Sequence, residues 1–387
     1  MKIIIGSDLA PTRNNCSLFK SGKLLTKIDK NFQNKWFDSD YRVFNLEIVL
    51  GDECMLKPIK KAGPNLLAKK ECINGIRELK PNLVLLANNH IFDYGIEGLD
   101  STINILSDNN IKYTGIIDNI NATYHPYIFE KDGLRVGIFN VCENEFSSAT
   151  LNNKGTNSLI ESKCYYEILS CKKELDRLIV IFHGGKEFYQ YVSPNLRRIC
   201  RGFIDFGADC VIVQHTHCIG CREKYKGKEI LYGQGNFIFN NDEYVSDKEL
   251  LASSLLVEIN ITNTKISVDY IPLQRDKELI SISQNSQIIN SFEMRSNQIL
   301  DEKFLLNEYE RFIEKNLITY LKIFDRQNLV RRFLYKFLDK KIYLKTYKDK
   351  YCLGILNSIE CEAHREIVIN GFKKIIGDYD NDKEYKN

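Results

Sequence analysis

Five short apolar runs in this chain end in residues that can bind a cation or move a proton. That recurrence constrains the fold more than any other feature. Lys2–Ile5 runs into Gly6-Ser7-Asp8, Tyr41–Phe44 into Asn45-Leu46-Glu47, and Leu83–Ala87 into Asn88-Asn89-His90. Leu178–Phe182 runs into His183-Gly184-Gly185, and Cys210–Gln214 into His215-Thr216-His217. Short β-branched runs bounded by polar and glycine residues read as buried strands. In open α/β sheets the crevice beyond the carboxyl ends of the strands is where sites are built. The five ends therefore deliver Asp8, Glu47, Asn89, His90, His183, His215 and His217 to one rim. Four of the six histidines stand at these junctions, which chance placement explains poorly.

The residue types suit metal and proton chemistry. His215 and His217 are spaced so that two imidazoles on a turning backbone reach the same point or adjacent points; in isolation such a pair reads as a surface feature. Asp8 directly follows an isoleucine run, where a carboxylate can hold a cation or cap a turn. Glu47 lies between Phe44 and Ile48, and a carboxylate that deep needs a partner or a metal, because an unpaired buried charge is costly. The Asn89 carbonyl is a reasonable oxygen ligand, although Asn88-Asn89 also reads as an ordinary turn. His90 can donate a proton to a leaving group, with Asp93 holding its tautomer and raising its proton affinity. The irregular stretch with Lys57, Lys60 and Lys61 is a candidate loop over the site, with Lys61 either facing an anionic substrate or solvated. Glu187, four residues after His183, either supports the site or is a solvated charge.

Between the strands, helices are expected at Pro64–Leu79, Ile96–Leu106, Lys163–Leu175 and Pro194–Phe206, the last with proline in its first turn. Further strands are expected at Leu134–Val141, Glu229–Tyr232 and Asn236–Phe239. A hairpin of Leu255–Ile261 and Lys265–Ile271 closes this part. The turn at Gly233-Gln234-Gly235 lacks the Lys-Ser/Thr of a nucleotide loop, and Cys218-Ile-Gly-Cys221 lacks the second pair of a structural zinc site. Residues 276–387 change character: helical patterns appear at Glu302–Leu321, Arg326–Leu338 and Ser358–Ile376, with a charged end at Asp378–Asn387. The expected organisation is a site-bearing domain over residues 1–275 and a helical extension over 276–387.

With 54 basic and 51 acidic residues the net charge is +3, so nothing calls for nucleic acid or an anionic membrane. No apolar run approaches the length of a membrane span. Twelve scattered cysteines suit reduced thiols better than a disulfide framework. Met1 leads straight into the first strand without the pattern of a leader, and the expectation is a soluble cytoplasmic protein.

Taken together, Asn45-Leu46-Glu47, Ala87-Asn88-Asn89-His90 with Asp93 and Gly95, His183-Gly-Gly-Lys-Glu187, Gly207-Ala208-Asp209, His215-Thr-His217 and Gly235-Asn236-Phe237 resemble the poly-gamma-glutamate capsule synthesis (CapA) family. That family belongs to the calcineurin-like metallophosphoesterase superfamily. The resemblance covers roughly residues 1–272. It implies a four-layer α/β sandwich, two mixed sheets flanked by helices, around a site for two divalent metal ions of the manganese, zinc or iron type. By position, Asp8, Glu47 and His217 would hold one metal. Glu47 as a bridge, Asn89, His183 and His215 would hold the other. His90 would be the general acid with Asp93 behind it, and Lys61, Glu187 and Asn236 would meet the substrate. The chain departs from the superfamily in carrying Asp8-Leu9-Ala10 where the first motif is Asp-x-His, Asn-Leu-Glu where Gly-Asp is usual, Ser7 before Asp8, and Gly184 where a tryptophan is common. Three functions follow as expectations. One is a metal-dependent hydrolase of a phosphoester or of an amide-linked, anionic polymer. Another is a non-catalytic or polymer-binding component of capsule or poly-gamma-glutamate assembly. The third is a scaffold whose C-terminal helices bind a protein partner.

Overall fold

The structure is a computed structural model of the 387-residue chain and describes residues 1–240, 248–276, 278–324 and 348–376. Two sheets dominate. The first runs β18 (Leu279–Ile282), β17 (Ile266–Asp276), β16 (Ser253–Ile261), β1 (Lys2–Ala10), β2 (Tyr41–Leu46), β5 (Leu83–Leu85), β6 (Tyr113–Thr114), with β15 (Asn236–Phe239) pairing with the end of β1. The second runs β13 (Arg222–Tyr225), β14 (Lys228–Tyr232), β12 (Cys210–Gln214), β11 (Arg177–His183), β9 (Leu134–Cys142), β8 (Tyr127–Lys131). Two short ribbons pair β3 (Val49–Gly51) with β4 (Leu67–Lys69) and β7 (Ile116–Ile117) with β10 (Gly155–Thr156).

Residue alternation along the central strands sets the layers. Ile3, Ile5, Val43 and Leu85 of the first sheet pack with Ile138, Ile179, Ile181 and Ile212 of the second, forming a core between the sheets. The alternate residues Ile4, Phe44 and Val84 point the other way, toward Phe19, Phe32, Trp36, Ile76 and Leu99. These come from helices α1 (Cys16–Ser21), α2 (Lys30–Phe37), α3 (Ile73–Glu78) and α4 (Gly95–Asp108). On the far side Val180, Phe182, Val211 and Val213 pack with Cys164, Ile168, Ile199 and Phe203, from α5 (Glu161–Cys171) and α6 (Pro194–Asp205). Strands covered on both faces explain why the runs are apolar throughout. The result is the expected four-layer α/β sandwich.

The site-bearing strands run parallel: β1 with β2, β2 with β5, and β11 with β12. Their carboxyl ends therefore share a side within each sheet. Buried amides tie the two sheets together there. Gln214 Nε2 donates to Gly6 O at 3.2 Å and to Gln234 Oε1 at 3.0 Å, and Gln234 Nε2 donates to Ile5 O at 2.7 Å. Gly6 needs to be glycine: a Cβ there would stand 2.7 Å from the Phe237 ring.

Two expectations change. The helix expected over Pro64–Leu79 is strand β4, a single 3-10 turn at Lys70–Cys72 and then the short α3. Leu67–Lys69 pairs in parallel with Val49–Gly51, and tertiary pairing overrides the local helical pattern. The compact unit also runs past residue 275. The chain divides into Met1–Tyr309 and Glu310–Asn387. Beyond the short α7 (Lys248–Leu251), α8 (Ser286–Gln298) buries Phe292 and sends Arg295 to the carbonyls of Gly220 and Ile219 at 2.9 and 3.0 Å, which ties it to the first unit.

Helix α9 (Glu302–Phe324) follows, then α10 (Asp349–Glu360) and α11 (Glu362–Ile376). The single helix expected over Ser358–Ile376 is thus broken at Cys361, whose backbone is extended. Arg326–Leu338 and Asp378–Asn387 lie outside the described residues. On α10 and α11 Leu353, Ile367, Phe372 and Ile375 are exposed. Among the described residues no helix is long and apolar enough to cross a membrane.

Candidate metal centre

The five strand ends deliver their side chains to one place. Asp8 and Glu47 are fully buried, and His183, His215 and His217 are nearly so. The ligating atoms of Asp8, Glu47 and His217 lie within 4.8 Å of one another, as do those of Glu47, His183 and His215. Glu47 is common to both sets. Asn89 joins the second set through Oδ1, 3.0 Å from His183 Nε2, and His215 Nδ1 is 3.1 Å from the same nitrogen. A third group, Glu187 with His215 and His217, meets the same distance limit.

The backbone bends to achieve this. β12 ends at Gln214, and His215 and His217 then take φ of 84° and 56°, with Phe188 at 61°. Each such conformation costs a non-glycine residue on the order of 1 kcal/mol, and here it aims an imidazole inward. Asn236 Oδ1 accepts from His217 Nδ1 at 2.8 Å, a contact that orients the His217 ring. His215 N donates to Asp8 Oδ2 at 3.1 Å. Asn45, which the sequence reading left without a role, ties the ends of β1, β2 and β11 together. Its Nδ2 lies 2.9 Å from Asp8 Oδ1 and 3.2 Å from His183 Nδ1, while its Oδ1 accepts from Asn88 Nδ2 at 2.9 Å. Asn88 in turn accepts from the backbone N–H of His90 and Ile91 and so shapes the turn that presents Asn89 and His90.

Charge defines what the cluster can take. Both Glu47 oxygens are buried without a hydrogen-bond donor among the described residues, and His183 Nε2 stands 3.4 Å from Oε1. Buried polar atoms of that kind are rare without a ligand. Burial raises the Asp8 carboxyl, but His183, with His217 and Asn45, outweighs it and holds Asp8 below the usual aspartate value. Burial lowers the His183 imidazole, yet the Glu47 charge and the Asp8 contact prevail and push it up to about 10. His217 is raised in the same way against its burial, by Glu47, Asp8 and Glu187. His215 goes the other way: burial and its positive neighbours His183 and His217 hold it well below the ordinary histidine value, neutral and able to offer a lone pair. Two buried carboxylates and three imidazoles within ligand distance make a donor set that fits a divalent cation of the zinc, manganese or iron kind.

His90 stands beside the cluster with Nδ1 2.7 Å from Asp93 Oδ2. Leu66 N also donates to that oxygen, at 2.6 Å. Lys61 is placed differently from the expectation. Its side chain is 3% exposed and ion-paired with Asp93, with Nζ 3.4 Å from His90 Nδ1. The buried Asp93 carboxylate draws the ammonium inward, against the His90–Asp93 pair. A cavity of about 290 Å³ opens beside His90 and His217, walled by residues 11–14, residues 64–67, Phe188 and Phe239, with Glu187 also lining it. Arg13 lines this cavity and has no ion pair among the described residues. The sequence reading missed it because a lone arginine after a strand carries no pattern.

The family model described as "Bacterial capsule synthesis protein PGA_cap" matches residues 12–241. The capsule biosynthesis protein CapA of Bacillus anthracis is 27% identical over 61% of this chain and 58% of its own length. The PGA biosynthesis protein CapA of Bacillus subtilis (strain 168) is 26% identical over 46% of this chain and 47% of its own length. The chain thus spans about half the length of the curated relatives it matches. A crystal structure of a hypothetical protein from Thermus thermophilus covers 71% of this chain and 100% of its own, with a TM-score of 0.45 and 11% identity.

Proposed function

The chain belongs to the bacterial capsule synthesis protein PGA_cap family, and from that premise we propose that it is a metal-dependent hydrolase acting in capsule or poly-gamma-glutamate metabolism. The observation that carries this reading is the pair of three-residue ligand sets sharing Glu47, a carboxylate buried without a hydrogen-bond donor among the described residues. Asp8, Glu47 and His217 would hold one cation, and Glu47, Asn89, His183 and His215 the other. Divalent metals in such a site supply Lewis acidity toward a substrate oxygen and make water a better nucleophile at neutral pH. The chain's own groups do the rest. His90, oriented by Asp93, gives its proton to the leaving group. Arg13 offers a guanidinium to an anionic substituent. The bond is a phosphoester or an amide, and the reading places the protein in the cytoplasm.

The test is elemental mass spectrometry on wild type, Asp8→Ala and His215→Ala, with phosphoesters and γ-glutamyl amides assayed in parallel on wild type and His90→Ala. Close to two metals per chain, with turnover lost in a His90→Ala protein that keeps its metal, supports the reading. Metal retained with no turnover on either substrate class favours a second reading: a polymer-binding component of capsule or poly-gamma-glutamate assembly. One feature speaks for that alternative. Ala10, buried at the end of β1, stands where the superfamily's first motif carries a histidine, so the Asp8 set has one ligand fewer. In either reading the exposed apolar side chains of α10 and α11 offer a surface for a protein partner.

A further inference from the structure

We propose that Cys16 and Cys72 form a reversible disulfide, a modification site that joins two walls of the cavity beside the metal centre. All twelve cysteines are free thiols, and the Sγ atoms of Cys16 and Cys72 lie 3.2 Å apart. No other pair of cysteines is in sulfur–sulfur contact among the described residues. A disulfide needs its sulfurs at about 2.05 Å, so the pair has only about 1 Å to close.

The surrounding backbone holds the two residues in place. Cys16 opens α1, and its N–H donates to Thr12 O at 2.8 Å, while Thr12 N donates to Asn15 Oδ1 at 2.8 Å. Cys72 ends the 3-10 turn that follows β4 and leads into α3. Helices α1 and α3 are packed so closely that a Cβ on Gly75 would come within 2.6 Å of Phe19 Cα. The bond would form between segments already in contact.

Chain order gives the bond its consequence. Residues 11–14, just before Cys16, form one wall of the cavity, and residues 64–67, shortly before Cys72, form another. A Cys16–Cys72 bond would fix the spacing of those walls and hold Arg13 at a set distance from Leu66 and Leu67. The chemistry is thiol–disulfide exchange. Cys16, which is partly exposed, attacks one sulfur of a small-molecule disulfide such as oxidised glutathione and releases one thiolate. Cys72, which is buried and whose thiol is pushed up by that burial, loses its proton, attacks Cys16 Sγ and releases the second. Two protein thiols are oxidised, and one small disulfide is reduced to two thiols.

The full-length chain is incubated with oxidised glutathione and digested without reduction, and the peptides are read by mass spectrometry. Its melting temperature is followed before and after. The expected result is a peptide pair linked through Cys16 and Cys72, absent from Cys16→Ser and from the dithiothreitol-treated sample, with a melting temperature that rises by several degrees on oxidation and falls back on reduction. A lasting glutathione adduct on Cys16, a link from either residue to a different cysteine, or a bond that lowers the melting temperature would each overturn the proposal. The wild-type arm decides the matter even if the serine variant folds poorly.

Discussion

His90 Nδ1 and Asp93 Oδ2, three residues apart on one turn, are 2.7 Å from each other. The carboxylate fixes which ring nitrogen carries a proton toward it and leaves Nε2 as the nitrogen that can meet a substrate, in a side chain that lines the cavity. If His90 is the general acid, His90→Ala lowers kcat by roughly 100-fold to 10,000-fold with metal content unchanged. Asp93→Asn lowers it less, by about 10-fold to 100-fold, since the imidazole remains but loses its orientation. Steady-state kinetics beside elemental analysis checks both. A His90→Ala enzyme with full turnover removes His90 from the chemistry.

The same carboxylate is half of a buried ion pair. Lys61 and Asp93 side chains are 3% and 0% exposed, so removing either charge strands the other. Breaking a buried pair costs about 3 kcal/mol or more, whereas removing both charges costs far less. Urea denaturation of Asp93→Asn, Lys61→Met and the double variant should therefore show strong coupling, with the double variant more stable than either single one. Additive losses would mean that Lys61 is held by its packing and not by the charge.

Much of this site was legible because its residues follow apolar runs. Strands covered on both faces leave a continuous β-branched signature, and the polar residues within the next few positions beyond each run fall where a parallel sheet builds its crevice. Asp8, Glu47, Asn89, His90, His183, His215 and His217 were all found that way. The roles of Asn45, Asn88 and Lys61 were not legible, because they depend on which neighbours the fold supplies. Asn45 acquires its role only when β11 of the other sheet brings His183 within reach, and Lys61 only when Asp93 is buried beneath it. The Leu67–Lys69 strand was hidden for a similar reason, since its partner Val49–Gly51 lies across an irregular loop. Arg13 is visible as a cavity residue only once three separate loops converge.

Glu223 provides a pH test away from the metal ligands. It accepts hydrogen bonds from Arg201 at 2.7 and 2.9 Å and from Tyr232 at 2.6 Å, and it pairs with Arg197 at 3.1 Å. Burial raises its carboxyl, but Arg201, Arg197 and Tyr232 prevail and hold it below the ordinary glutamate value of 4.5. The unfolded chain therefore takes up this proton first as the pH falls. Its contribution to stability is complete above the unfolded value and is lost as pH drops through that value toward the folded one. Unfolding free energies measured from about pH 6 to about pH 3 should show the gap between wild type and Glu223→Gln narrowing on the acid side. A constant gap would mean the network holds Glu223 by shape and not by charge.

Glu47 gives the prediction with the clearest sign. Its two oxygens accept no hydrogen bond among the described residues, so without a cation the buried carboxylate is offset only by the neighbouring imidazoles of His183 and His217. Glu47→Gln removes the charge while keeping the shape. In chelator-treated protein it should lower the melting temperature modestly, because the imidazoles of His183 and His217 lose the counter-charge that raises them. With manganese or zinc added, the gap should widen: wild type gains stability by mass action, about 2.7 kcal/mol at a free metal concentration roughly 100 times its Kd, while Glu47→Gln gains little because both ligand sets lose their shared member. Thermal melts of the two proteins, with chelator and with metal, decide it in four curves, and elemental analysis of the same samples reports whether one or both cations are lost. Equal metal-induced gains in wild type and variant would show that Glu47 is no ligand, and the carboxylate would then have to be explained by His183 and His217.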